Sequence, residues 1–184
     1  MPAMTAVNRL KHCRCRAAIA AVAAFVVPMA AATATATATA QDQLLGTFKD
    51  WTAVSYQDGD RTVCYTVSKP QKSEGNYSRR GPVYVQVTRR AEQGGDVASF
   101  EAGYPFRESS QAEIRIGEDV MTLFTKGQAA WTYDDAADQK LVEAMRKGTT
   151  MIVLGVSARG TNTTDSYSLI GFADAHNAVR EACK

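Results

Sequence analysis

Histidine, tryptophan and cysteine are scarce in this sequence, and their scarcity limits the chemistry that the chain can support. Its 184 residues include two histidines, two tryptophans and four cysteines. A histidine-based metal site or a Ser-His or Cys-His catalytic pair needs a histidine beside its other members. His12 lies in the N-terminal segment, which leaves His176 as the only histidine in the rest of the chain. We therefore expect no metal site, no cofactor and no catalytic constellation.

Acidic residues are missing from the first forty positions, which instead carry positive charge followed by an apolar run. Residues 17–32 are entirely apolar, apart from the interruption at Pro28, and are too short to span a bilayer comfortably. This order of segments is typical of a secretory signal peptide. The positive residues that precede the run are Arg9, Lys11, Arg14 and Arg16.

The end of this segment predicts where the signal is removed. An alternation of Ala and Thr ends at Ala40 with a small-x-small pattern and is followed by polar residues. We predict a signal peptide over residues 1–40 and a single mature domain over residues 41–184. A cut nearer Ala30 and an uncleaved anchor are the alternatives, and the weak hydrophobicity of alanine favours cleavage.

Removal of the signal changes the net charge. Four of the 21 basic residues and none of the 19 acidic residues precede Gln41, so 17 basic and 19 acidic residues remain, about −2 in total. Binding to nucleic acid would call for a clustered basic face, and we expect none. The pairs Arg79-Arg80 and Arg89-Arg90 are interpreted as solvated charge at loops and strand ends.

Only two cysteines, Cys64 and Cys183, follow the predicted signal. In an oxidising compartment they have a single intramolecular pairing, and a disulfide across their 119 positions would stabilise the fold by about 4 to 5 kcal/mol. A catalytic thiol is the alternative, but it would need a nearby base such as His176. We expect that histidine to be a surface or capping residue on a C-terminal helix.

Most of the mature chain shows the two-residue alternation of β-strands. Residues 61–68 alternate Val63, Tyr65 and Val67 with smaller polar residues, and about nine such runs are separated by turn signals. Residues 69–81 lack an apolar period and predict a long loop. A helical period follows Asp134 or Asp135 and ends near Gly148, and a second helical stripe precedes Cys183. We expect a mainly β fold, an antiparallel β-sandwich with a barrel-like alternative, and one or two short helices, the last at the C-terminus.

Residues 104–107 are the best candidates for a contact surface. Tyr104, Pro105, Phe106 and Arg107 predict a rigid loop with an exposed tip, and binding residues often lie on such loops. The acidic residues near position 134 fit a helix start better than a calcium loop. Ser157 lies in a probable strand without the glycine spacing of a nucleophile elbow, so we interpret it as structural.

Motifs that recur in order along the mature chain resemble the invasion-associated locus B family of bacterial exported proteins. The motifs are Phe48-Lys-Asp-Trp51, Cys64-Tyr-Thr-Val-Ser-Lys-Pro70, Ala102-Gly-Tyr-Pro-Phe106, Ala130-Trp131, Glu143-Ala-Met-Arg-Lys-Gly148, Ser157-Ala-Arg-Gly160 and Asp165-Ser-Tyr-Ser-Leu-Ile-Gly-Phe172. The chain departs from the better-known form of the family, which carries a further cysteine shortly after the Trp, near the position of Ser55.

The resemblance implies a periplasmic or surface-associated β-sandwich protein, found mainly in alphaproteobacteria, with no established catalytic residues. Founding members of the family are linked to the entry of a pathogen into host cells. We expect a non-enzymatic protein, not membrane-spanning after processing, that binds an unknown envelope or host protein or surface component and acts in host-cell interaction or envelope stress. The alternative is an envelope hydrolase or thiol enzyme built around Ser157, Cys64 or His176.

Overall fold

The computed structural model of the protein describes residues 42–91 and 95–184. The predicted signal peptide, its cleavage after Ala40 and the alternative cut near Ala30 lie outside the described residues. Among these residues, no helix is both long enough and apolar enough to cross a membrane.

Eleven strands and two helices account for most of the described chain. They are β1 Gln43–Phe48, β2 Trp51–Asp58, β3 Arg61–Ser68, β4 Lys72–Gly75, β5 Tyr84–Arg90, β6 Asp96–Glu101, β7 Gln111–Ile116, β8 Asp119–Lys126, β9 Ala129–Trp131, α1 Asp135–Lys147, β10 Thr150–Val156, β11 Asn162–Ser168 and α2 Phe172–Ala182.

All the strands belong to one antiparallel sheet in the order β1-β2-β3-β5-β6-β9-β8-β7-β10-β11-β4. The described sheet is not closed, because β1 and β4 each pair on one side only. Strands β2 and β11, near opposite edges of the sheet, nevertheless contact each other. Trp51 Nε1 of β2 donates to the carbonyl oxygen of Ser168 of β11 at 2.9 Å. The expectation of a mainly β antiparallel fold with two helices, the last at the C-terminus, is confirmed.

Alternation along the strands places one set of side chains in the core. In β2, Trp51, Ala53 and Ser55 are buried, whereas the residues between them are half-buried. The helices cover this inner face: Phe172 of α2 meets Trp51 edge to face, with ring centroids 4.7 Å apart. Full burial of each large apolar side chain contributes roughly 1.5–3 kcal/mol. Fully buried members of the core include Ile114, Leu123, Leu141, Met145, Met151 and Val179.

The first helix begins and ends where the sequence predicts. Asp134 is its N-cap and accepts a hydrogen bond from the backbone N–H of Ala137 at 2.8 Å, and Gly148 is its C-cap. Asp138, one turn further on, is buried and accepts from the backbone N–H of Ala98 at 2.8 Å, which joins α1 to β6. Asp134 therefore serves the helix start, whereas Asp138 joins the helix to the sheet.

Two parts of the sequence interpretation are wrong in detail. Residues 69–81 are not one long loop, because Lys72–Gly75 form the edge strand β4, whose four exposed residues carry no apolar alternation. His176 is not a surface residue: its side chain is 2% exposed, because α2 packs against β1, β2 and β3. Polar partners on both ring nitrogens make this burial tolerable.

Candidate functional site

A cleft of about 640 Å³ lies where three loops meet at one end of the sheet. The first loop follows β4, the second loop follows β6, and the third loop joins β10 to β11. The residues that line it are Asn76, Tyr77, Ser78, Arg79, Arg80, Gly81, Gly103, Tyr104, Pro105, Ser157, Ala158, Arg159, Thr161 and Thr163. A volume of this size suits a small ligand or a few residues of a peptide.

Arg80 fastens the first loop to the sheet. Its guanidinium donates to both carboxylate oxygens of Asp165 at 2.7 and 2.6 Å, and its Nε donates to the carbonyl oxygen of Ala102 at 2.6 Å. The two charged side chains are only 5% and 6% exposed. Burial alone would lower the pKa of Arg80, but the hydrogen bonds and charge of Asp165 outweigh it and raise that pKa. Arg80 is therefore a fixed cation whose charge is already matched.

Two tyrosines enclose this ion pair. The Arg80 guanidinium lies 5.4 Å from the ring centroid of Tyr77 and 4.9 Å from that of Tyr104, which are cation–π distances. The hydroxyl groups of Tyr104 and Thr163 share a hydrogen bond of 2.5 Å. Burial raises the pKa of Tyr104, so its hydroxyl stays protonated at neutral pH. The tyrosine rings give the cleft apolar walls with polar tips.

Two glycines allow the first and second loops to touch. The backbone N–H of Gly81 donates to the carbonyl oxygen of Gly103 at 2.8 Å. Gly103 has a φ of +69°, and a Cβ atom on it would lie 2.5 Å from the carbonyl oxygen of Gly81. A side chain here would push the loops apart and change the floor of the cleft.

The structure separates the four residues of the predicted contact loop. Tyr104 is half-buried and lines the cleft with the exposed Pro105, whereas Phe106 is 8% exposed and belongs to the core. The exposed Arg107 is held by its backbone, whose N–H donates to the carbonyl oxygen of Val156 at 2.9 Å. Phe106 and Ser157 form an isolated bridge at this point. Backbone hydrogen bonds tie the segment to neighbouring loops and strands, and its exposed surface does not include the Phe106 ring.

Positive charge without a matching partner is concentrated at the rim of the cleft. Arg79 and Arg159 line it and are exposed, and neither forms an ion pair within the described residues. The interpretation of the arginine pairs as solvated charge holds for Arg79 but is wrong for Arg80, which is buried, and for Arg89, which pairs with Asp96 at 3.2 Å.

The candidate nucleophiles from the sequence are engaged elsewhere and are not brought together. Ser157 Oγ accepts a hydrogen bond from the backbone N–H of Thr161 at 3.1 Å and shapes the third loop. Cys64 is bonded to Cys183, with Cα atoms 6.0 Å apart. Among the described residues, no group of three His, Cys, Asp or Glu side chains is arranged to hold a metal ion.

His176 belongs to a network beside the disulfide. Arg146 Nη1 lies 3.0 Å from His176 Nδ1, and because arginine can only donate, the ring proton lies on Nε2, 2.9 Å from Asp96 Oδ2. Asp96 also accepts from Arg89, whose Nε donates to the carbonyl oxygen of Cys183 at 3.0 Å. Burial alone would raise the pKa of Asp96, but the hydrogen bonds from His176 and Arg89 outweigh it and lower that pKa.

Sequence reasoning missed most of the cleft, although one signal for it was available. In β11, Thr163, Asp165 and Tyr167 are buried in alternation. The pattern therefore places a carboxylate on the inward face, where a charge needs a partner. That partner, Arg80, is 85 positions away in a loop, and nothing in the sequence pairs the two.

The family profile of invasion associated locus B (IalB) protein matches residues 51–180. The matched region contains all three loops of the cleft, the Arg80–Asp165 pair and most of both helices. The chain belongs to this family. Membership confirms the resemblance drawn from the motifs and makes the protein a relative of invasion-associated bacterial proteins.

A solved structure shares the fold of this IalB family member. The crystal structure of invasion associated protein B from Bartonella henselae aligns with a TM-score of 0.54 and 17% sequence identity, covering 74% of this chain and 96% of that one. At this identity the likeness supports the fold alone. No curated protein sequence matches the chain.

Proposed function

We propose that this IalB family member is an exported, non-enzymatic envelope protein that binds a partner protein or surface component through the cleft. Export to the periplasm follows from the signal-like residues 1–40, which leave residues 41–184 as the mature domain. A disulfide between Cys64 and Cys183 suits an oxidising compartment. A position on the outer surface or in the medium is the alternative location, and a role in host-cell interaction or envelope stress is the wider function.

The observation that carries the proposal is the cleft lining, which combines two tyrosines and three arginines on loops joined by hydrogen bonds. Tyrosine and arginine are the side chains most enriched where proteins recognise each other. The cleft lining contains no cysteine, histidine or carboxylate, and of its two serines, Ser78 and Ser157, the latter accepts a hydrogen bond from a backbone N–H. We therefore favour binding over the alternative of an envelope hydrolase or thiol enzyme.

Photo-crosslinking in living bacteria tests the proposal. A photo-reactive amino acid is placed at Ser78, an exposed residue of the cleft, and in a second strain at Lys140, an exposed residue of α1. We expect a discrete crosslinked product in the periplasmic fraction from Ser78 and none from Lys140. Equal products from both positions, or none from either, would contradict a binding role for the cleft.

Two further measurements test the other parts of the proposal, which are export and the absence of enzymatic activity. Mass spectrometry of the N-terminus is expected to find Gln41 as the first residue, and a mature chain that begins at Met1 would remove the argument for export. A broad serine-reactive probe and a free-thiol reagent are both expected to label nothing, and stoichiometric labelling of Ser157 or Cys64 would favour the enzyme alternative.

A further inference from the structure

The charge of the cleft rim indicates the sign of the ligand. Three arginines line the cleft, and Asp165 matches only Arg80. Arg79 and Arg159 keep exposed guanidinium groups with no ion pair in the described part of the chain. The lining residues contain no Asp or Glu that would compete for them. The cleft therefore presents an uncompensated positive potential to an incoming group.

The walls of the cleft are fixed before any ligand arrives. Arg80 clamps the first loop to β11, and the Tyr104 hydroxyl binds that of Thr163. The backbone N–H of Ala158 donates to the carbonyl oxygen of Pro105 at 2.8 Å, which joins the second loop to the third. Because these loops are already ordered, little conformational entropy is lost when a ligand binds.

A free strand edge extends from the cleft. Strand β4, Lys72–Gly75, pairs with β11 on one side and is the last strand of the described sheet on the other. All four residues are exposed, and the chain runs directly from Gly75 into the cleft residues Asn76 and Tyr77. An extended peptide is the ligand that uses both features, because its backbone hydrogen-bonds to the edge while its side chains enter the cleft.

We propose that the cleft binds an extended acidic segment of a partner protein, with Arg79 and Arg159 binding its carboxylates. Tyr77 and Tyr104 pack against the peptide between these charges, and β4 offers its backbone edge. This inference rests on the proposed function and specifies the partner chemistry of the same cleft.

A titration with a defined peptide tests the inference. The ¹⁵N-labelled protein, isolated from the bacterial envelope, is titrated with acetylated hexaglutamate while its amide resonances are followed. We expect shifts concentrated in residues 72–81, 103–104 and 157–161. The double variant Arg79→Glu with Arg159→Glu should bind at least about tenfold more weakly, because each carboxylate loses a charged hydrogen bond.

A second double variant controls for net charge. Arg61→Glu with Lys140→Glu changes the charge by the same amount at exposed residues outside the cleft lining, and neither residue forms an ion pair within the described residues. We expect its affinity for hexaglutamate to stay within about twofold of the parent protein, since screened charges at a distance contribute little.

Three results would overturn the inference. They are the absence of shifts at the cleft, an equal loss of affinity in the two double variants, and a preference for an acidic polysaccharide. The last result would be tighter binding of polygalacturonate than of hexaglutamate at the same residues. The crosslink from Ser78 separates this inference from the proposed function. If the crosslinked partner persists in the Arg79→Glu, Arg159→Glu protein, binding through the cleft stands and the acidic segment is wrong.

Discussion

Two arginine–aspartate pairs with little exposure lie at opposite ends of the β5–β6 hairpin, and their surroundings differ. Arg80, just before β5, pairs with Asp165 at the end where three loops leave a cleft. Arg89, near the end of β5, pairs with Asp96 at the end that α2 and the disulfide cover. The same ion pair thus supports an open end suited to binding and a covered end suited to stability.

Exposure makes the comparison quantitative. The side chains of Arg80 and Asp165 are 5% and 6% exposed, although they lie beside the cleft. Those of Arg89 and Asp96 are 16% and 15% exposed, although a helix and a disulfide lie over them. The pair at the open end is therefore the more deeply desolvated one, because Tyr77 and Tyr104 shield it, and its loss should cost more.

Removing the disulfide should give the largest loss of stability. The accompanying change in local structure should be confined to the covered end. Both sulfur-bearing residues are buried, so Cys64→Ala with Cys183→Ala avoids placing new hydroxyl groups in the core. We expect the free energy of unfolding in urea to fall by about 4 kcal/mol, from the loss of a cross-link over 119 residues. The parent protein in a reducing agent should match the variant, and the amide resonances of the cleft should keep their positions. A loss under about 1 kcal/mol would show that the bond contributes little.

Breaking the ion pair at the open end should rank second. Arg80→Met keeps the length of the side chain but leaves the Asp165 carboxylate buried without its partner, so we expect a loss of about 3 to 4 kcal/mol in urea unfolding. Arg79→Met, one residue earlier and exposed, is the matched control and should stay within about 0.5 kcal/mol. The double variant Arg80→Met with Asp165→Leu should recover part of the loss. An unchanged free energy of unfolding in Arg80→Met would mean that the ion pair does not hold the cleft.

Asp96→Asn should give a smaller effect that depends on pH. Hydrogen bonds from His176 and Arg89 lower the Asp96 pKa, so its stabilisation is present above the ordinary aspartate pKa of about 3.9 and is lost as the pH falls through the lower folded value. We expect a loss of about 1 to 2 kcal/mol near pH 7 and convergence of the two proteins in acid. Glu118→Gln, an exposed carboxylate, serves as the control and should leave the stability unchanged at both pH values. A difference that grows in acid would contradict the assigned direction.

The sequence predicted the regular elements because their signals are local. The boundaries of β3 and the caps of α1 at Asp134 and Gly148 follow from alternation and from capping chemistry within a few residues. Strand β4 escaped prediction because an edge strand exposed on all four residues has no buried face to create a pattern. Its only support is pairing with β11, which lies about ninety residues later in the chain.

The cleft was harder to predict than the fold because its contacts are long-range. Tyr104 and Pro105 of the predicted contact loop line the cleft, but Phe106 turns inward at its bridge with Ser157. The same limit applies to His176, whose isolation in the sequence suggested a surface position. Its partner Asp96 lies 80 positions earlier, and no local pattern indicates that a buried imidazole there would find a hydrogen-bond partner.

The covalent link between Cys64 and Cys183 also sets an order of events during biosynthesis. Its two ends are 119 positions apart, so the bond cannot close until nearly everything from the third strand to the last helix has been synthesised. A nascent chain therefore lacks its cross-link until synthesis is almost complete. A premature stop codon anywhere before residue 183 would remove Cys183, so the truncated product could not form the bond and would lose its contribution to stability.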